Sequence, residues 1–189
     1  MRASYGTTLH RDLSGLRLLR RLLCTLVALL FPFASLAQAP EDQTPALSDL
    51  AQMFFEDPAT FGREHLDRRR LDFSVESLKH INGYLEAIRK DKGVEAQWTR
   101  VVLRAGAYIG EVIRRNDKKT QWRWIDYEGA RQVDPKVFEL FGKRVATAAV
   151  LYDGNKGFAF PLAKVEKYLE NGAEDNVYLF AVVIMSHER

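Results

Sequence analysis

The chain has 189 residues, a length that suits one domain with accessory segments. Hydrophobic residues make up 47% and aromatics 11%, enough for a packed core, which excludes a globally disordered chain. The formal net charge of +3 sits at the N-terminus: residues 1–37 hold five arginines and one aspartate, leaving 23 basic and 24 acidic side chains, so the rest lacks the cationic surplus from which a nucleic-acid binder draws affinity.

Residues 1–37 read as an export signal. A basic stretch ends at Arg20-Arg21, and an uncharged apolar run follows from Leu22 to Ala34. Ser35-Leu36-Ala37 then places small residues at the −3 and −1 positions of a cleavage site before Gln38. Pro32, Ser35 and Gln38 interrupt the uncharged stretch, which is short for a bilayer core of about 30 Å. Cleavage after Ala37 is therefore expected over an uncleaved anchor, with a periplasmic or secreted product. Membrane contact follows only if the segment is retained. Cys24, the one cysteine, lies inside the signal, so the exported part has no thiol, disulfide or cysteine metal site.

Residues 38–70 are expected to be a tether with short helices. Gln38–Ala46 is polar and carries two prolines; Pro45 to about Phe55 has Leu47, Leu50, Ala51 and Phe54 at helical spacing, and Asp57-Pro58 stops it. Arg68-Arg69-Arg70 reads as a solvated charged end, with an anion site as the alternative. A single α+β domain is expected over 71–189. Its first helix runs from Ser74 to Asp91, with Ser74 as N-cap, Leu78, Ile81, Leu85 and Ile88 in one apolar stripe, and Gly93 as its stop.

Glu95–Arg115 is a helix with three faces. Trp98, Val101, Val102, Ala105, Ile109, Val112 and Ile113 make the core face. Gly106 and Gly110 make a second; each interior glycine costs about 1 kcal/mol against alanine, which close approach by another backbone would offset. Arg104, Tyr108, Glu111 and Arg115 line up as the third. It is either an ordinary set of helix-surface pairs or a polar patch for a peptide or small anion.

Gln121–Tyr127 then reads as a strand, with Trp122, Trp124 and Asp126 on one side and Arg123, Ile125 and Tyr127 on the other. The two tryptophans are a core seam if buried and a binding platform if exposed. Further on come a short helix from Asp134-Pro135 to Lys143, a buried strand over Arg144–Tyr152, a hairpin loop at Asp153–Gly157 and its return strand Phe158–Phe160. A helix from Pro161 ends at Gly172, and the β-branched and aromatic run Val177–Met185 reads as a central strand. The expected architecture is thus α+β: N-terminal helices, then an antiparallel sheet of about four strands with a helix before the last strand.

Catalytic signatures are missing: there is no G-x-S-x-G, H-E-x-x-H, Walker loop or G-x-G-x-x-G, and His65, His80 and His187 are too scattered for a sequence-level zinc site. No cofactor or metal is expected. A carboxylate pair could be assembled from Glu111 with Asp126 or Glu128. The ordered set L-D-F-S-V-E-S-L from Leu71, G-A-Y-I-G-E-V-I-R-R-N from Ala105's neighbour Gly106, Trp122, and P-L-A-K-V-E-K-Y-L-E-N-G from Pro161 resembles a family of small uncharacterised bacterial domains (a domain of unknown function). Members share a G-A-Y-x-G-E-V helix, a following tryptophan strand and a late P-x-x-K-V-x-K-x-L-x-N-G helix. The resemblance spans about Leu71 to Met185. It implies a domain boundary and a functional surface rather than a reaction, with motif positions at Gly106, Tyr108, Gly110, Glu111, Arg114, Trp122, Pro161, Lys164 and Gly172.

The expected function is a non-enzymatic module of the bacterial envelope that binds a protein or peptide through Arg104, Tyr108, Glu111, Arg115, Trp122 and Trp124. The alternatives are an envelope enzyme of hydrolase type using Glu111 with Asp126 or an arginine, and a structural subunit of an envelope complex.

Overall fold

The computed structural model describes residues 39–186. The expected export signal, its cleavage site after Ala37, Cys24 and His187 lie outside the described residues. Among the described residues, seven α-helices and three short strands follow one another as α1 (Thr44–Glu56), α2 (Ser77–Ile88), α3 (Val94–Asn116), β1 (Arg123–Asp126), α4 (Tyr127–Val133), α5 (Pro135–Phe141), β2 (Ala149–Tyr152), β3 (Phe158–Ala159), α6 (Pro161–Asn171) and α7 (Val177–Ser186). The fold mixes helix and sheet and is mostly helical.

The centre is α3. Its 23 residues carry Glu95 in the first turn and Arg114 and Arg115 in the last, each favoured by the helix dipole. Val101, Val102, Ala105, Ile109, Val112 and Ile113 are buried, packed with Leu47, Ala51 and Phe54 of α1, the apolar stripe of α2, and Leu162, Val165 and Leu169 of α6. The boundary expected at Leu71 is therefore corrected: α1 belongs to the same core, and the compact unit begins at Ala39. The supposed tether is also docked. The Gln43 amide donates to the Trp124 carbonyl at 2.8 Å, Asp42 bridges to Ile125, and the Thr44 hydroxyl accepts from the Trp124 amide.

The sheet has three strands in the order β1-β2-β3, both pairs antiparallel, with Trp124 opposite Leu151, Ile125 opposite Val150 and Leu151 opposite Ala159. Alternation sends Trp124, Ala149, Leu151 and Ala159 into the main core. It sends Ile125, Val150 and Tyr152 into a second cluster with Tyr127, Ala130 and Phe138 of α4 and α5. Those two helices start on aspartates: Asp126 accepts from the Gly129 amide and Asp134 from the Val137 amide.

Two expectations about the sheet are overturned. The expected four strands are three among the described residues, because Val177–Met185 is helical within α7. Asn176 is its N-cap, accepting from the Leu179 amide, while the Asn82 side chain accepts from the Val177 amide and donates to Asn176. These caps override the β propensity of the run. The outer edge of β1 is meanwhile taken by residues 42–43. The strand expected over Gln121–Tyr127 is also shorter, since Tyr127 already opens α4.

Candidate functional site

Glu111 has no exposed surface and accepts four hydrogen bonds. Its Oε1 takes the Arg114 Nε–H at 2.7 Å and the Trp124 indole N–H at 3.1 Å; its Oε2 takes the Arg114 Nη2–H at 2.9 Å and the Arg115 Nε–H at 3.0 Å. A carboxylate has about four acceptor sites, so none is left for a substrate. Burial pushes the carboxyl up, and the Arg114 hydrogen bond and charge more than reverse that, so it lies below its ordinary range. Glu111 is thus a fixed anion at neutral pH.

The partner indole explains the glycine face. A Cβ on Gly110 would lie 2.0 Å from Trp124 Cζ2, so the indole packs flat where a side chain would stand. Gly106 serves a different neighbour: its Cβ would meet the Leu162 Cα at 2.8 Å, where α6 begins behind Pro161. Only Gly106 therefore has the close backbone approach expected of both. Farther along α6, Lys164 pairs with Asp175 at 2.7 Å. Gly172 closes α6 at φ +81°, with the Arg89 guanidinium against it and donating to the Glu170 carbonyl. These motif positions hold joints between elements.

The other members of the expected surface lie inside. Tyr108 and Trp124 have no exposed surface, and Trp122 is buried with its indole N–H on Asp117 at 2.8 Å. The Tyr108 hydroxyl accepts from the Phe73 amide and donates to Ser77 Oγ. Phe73 is a non-glycine residue at φ +61°. Its ring stacks on Tyr108 at 4.7 Å, the Arg115 guanidinium covers it at 3.7 Å, and Asn116 donates to its carbonyl. Arg115 is the only exposed residue of the six, and it is engaged with Phe73 and Glu111. The surface expected from Arg104, Tyr108, Glu111, Arg115, Trp122 and Trp124 is therefore corrected: all but Arg104 are parts of a packed joint. Spacing aligned them correctly, but α2, β1 and the Phe73 turn cover the face.

Asp126 does not join Glu111, because it caps α4, and Glu128 pairs at the surface with Lys143 and Arg131. Among the described residues no group of three or more His, Cys, Asp or Glu converges on one point.

Arg104 leads elsewhere. Its Nη2–H donates to Asp57 Oδ2 at 2.7 Å and its Nη1–H to Thr60 Oγ1 at 3.2 Å, although the side chain is nearly buried. The Ala59 amide first, and then Arg104, holds the Asp57 carboxyl below its ordinary range. Beside this pair, α1 and the first turns of α3 enclose an open groove of about 470 Å³ lined by Leu50, Ala96, Gln97, Thr99, Arg100, Leu103 and Arg104. Arg100 is exposed and forms no ion pair among the described residues. The groove has a mixed lining: aliphatic Leu50 and Leu103, amide and hydroxyl groups, and two guanidiniums one turn apart. Sequence reasoning passed over Arg100. Its signal was its position four residues before Arg104, on the same helix face.

Compared with family models, curated proteins and solved structures, the chain matches none. No helix among the described residues is long and apolar enough to cross a membrane.

Proposed function

We propose that the chain is a non-catalytic binding module of the bacterial envelope, exported by its N-terminal segment, which holds an acidic protein or peptide segment in the α1–α3 groove. The observation that carries this reading is Arg100: a cation without an ion pair among the described residues, set on the rim of a groove with Leu50 and Leu103 in its lining. Arg104 is already neutralised by Asp57, so the groove retains one positive charge to be matched. The aliphatic lining supplies burial and Arg100 supplies orientation. The saturation of Glu111 favours this reading over the hydrolase alternative. The likeness to small uncharacterised bacterial domains fits a motif that builds the joint, with binding left to the groove.

The test is a photocrosslinking residue at Thr99, on the groove wall, in the unit from Ala39 onward, irradiated in extract of the envelope that contains it. A discrete adduct is expected, reduced at least about tenfold by Arg100→Glu, as reversal of a rim charge disfavours an acidic partner. The same probe at Arg131, exposed on α4, should give no such adduct. An adduct indifferent to Arg100→Glu, or none, overturns the groove assignment and favours the structural-subunit reading.

A further inference from the structure

Asp57 caps the C-terminal end of α1, the helix that forms one wall of the groove. Its Oδ1 accepts from the Ala59 amide at 2.8 Å and its Oδ2 from the Arg104 Nη2–H at 2.7 Å. Arg104 is held from a second side: its Nη1–H donates to Thr60 Oγ1, and the Thr60 hydroxyl donates in turn to the Phe54 carbonyl at 2.9 Å. The Ala59 amide first, then Arg104, and last the Arg100 charge keep the Asp57 carboxyl below its ordinary range, so it is an anion at neutral pH within reach of both guanidiniums. Taking the groove as the binding site, we propose that Asp57 decides which acid it holds: with Arg104 committed to Asp57, the groove is tuned to a single carboxylate over a phosphoryl dianion.

Charge balance carries the choice. The lining holds Arg100 and Arg104 and no carboxylate of its own, so with Asp57 the site has two cations and one anion. One carboxylate on the Arg100 fork brings that set to zero, in the bidentate geometry a guanidinium favours. A dianion leaves a negative charge unmatched beside Leu50 and Leu103. Phosphoryl groups are ordinarily taken by clusters of arginines. Arg100 and Arg104, four residues apart on one helix face, would form such a cluster if Asp57 released Arg104. Two features oppose that release. Arg104 is only 8% exposed, so without its carboxylate it would be an uncompensated buried charge. Behind it lies a cleft of about 10 Å³ among Phe54, Phe61, Tyr84 and Val101, room for about one water and for no ligand group.

The test compares the unit from Ala39 onward with its Asp57→Asn variant, which keeps an acceptor for the Ala59 amide and loses the charge. The probes are a short alanine–leucine peptide with one central glutamate and the same peptide with phosphoserine there, used above the second phosphate pKa of about 6. Titrations follow the Thr99 amide and the Arg100 Nε–H by NMR. The wild type should bind the glutamate peptide more tightly. Removing a charge acts on a dianion twice as strongly as on a monoanion, so Asp57→Asn should tighten the glutamate peptide about threefold and the phosphoserine peptide about tenfold. Adding Arg104→Gln restores the original charge and should cancel both gains. If circular dichroism shows Asp57→Asn unfolded, Asp57→Ser retains an accepting hydroxyl and takes its place. Equal changes for the two peptides, or a wild type that prefers phosphoserine, overturn the role of Asp57 and leave the groove standing. A Thr99 amide that neither peptide moves, in wild type or variant, overturns the groove and this role together.

Discussion

From Tyr108 to Asn116, the polar side chains of α3 end on partners within the fold: Tyr108 on Phe73 and Ser77, Glu111 on two arginines and an indole, Asn116 on the Phe73 carbonyl. From Ala96 to Arg104 the same helix lines an open groove and carries Arg100 without an ion pair among the described residues. One continuous helix thus does two kinds of work. Its second half is bracketed by β1, the Phe73 turn and α6, so polar groups there had to be satisfied internally. Its first half keeps one face, beside α1, open to water, so a cation there can stay unsatisfied at little cost. Helix position alone does not distinguish a structural arginine from a recognition arginine; what covers the face does.

The largest expected effect lies in the closed half. In Gly110→Ala the new Cβ would sit 2.0 Å from Trp124 Cζ2, and the indole cannot retreat, being fully buried with its N–H on Glu111. Overpacking together with the lost indole bond should cost about 3 kcal/mol or more, against a gain of about 1 kcal/mol in helix propensity. Urea unfolding measures it. A loss under about 1 kcal/mol would show that Trp124 does not rest on Gly110, and the division of the helix into closed and open halves would fail.

Next in size is Glu111→Gln, at about 2 kcal/mol, below the cost of breaking a fully buried pair because Arg114 and Arg115 reach water. It also has a pH signature. The folded-state carboxyl lies below its ordinary value of 4.5, so its contribution is fully present above that pH and is lost as pH falls through the folded-state value. Wild-type stability should decline on acidification below about pH 4.5, and Glu111→Gln should flatten that decline. Some slope persists, because Asp117 titrates in the same direction: burial opposes, and the Trp122 indole N–H and two backbone amides outweigh it, holding the carboxyl below its ordinary value. An identical acid limb in both proteins would mean that Glu111 is not held as a buried anion.

Much of the helical framework was legible because it rests on local signals. Leu78, Ile81, Leu85 and Ile88 marked α2, and Pro161 with Gly172 bracketed α6. The alternation around Trp124 and Ile125 correctly split the two faces of β1. What failed depended on distant partners. The helical state of Val177–Ser186 is set by Asn176 together with Asn82, 94 residues away in sequence. The burial of Tyr108 depends on Phe73, whose left-handed backbone no pattern announces. The groove escaped notice because its wall on α1 and its wall on α3 are separated by α2. The lesson for the candidate site is that a lined-up polar face fixes neighbours along the helix and leaves open what lies across it.

The smallest effect is expected on α2. Gly83 is an exposed glycine in α2, and a Cβ there would meet nothing within 4 Å. Gly83→Ala removes the helix-propensity penalty without crowding anything, so it should stabilise the fold by about 0.5–1 kcal/mol in the same urea measurement. The two Gly→Ala changes differ chiefly in what stands opposite the added methyl group, water for Gly83 and an indole for Gly110. Opposite signs would assign the role of Gly110 to the Trp124 contact rather than to backbone flexibility. If both changes destabilise, glycine in these helices serves a conformational need that the packing does not reveal, and the interlock of Gly110, Glu111 and Trp124 loses its physical basis.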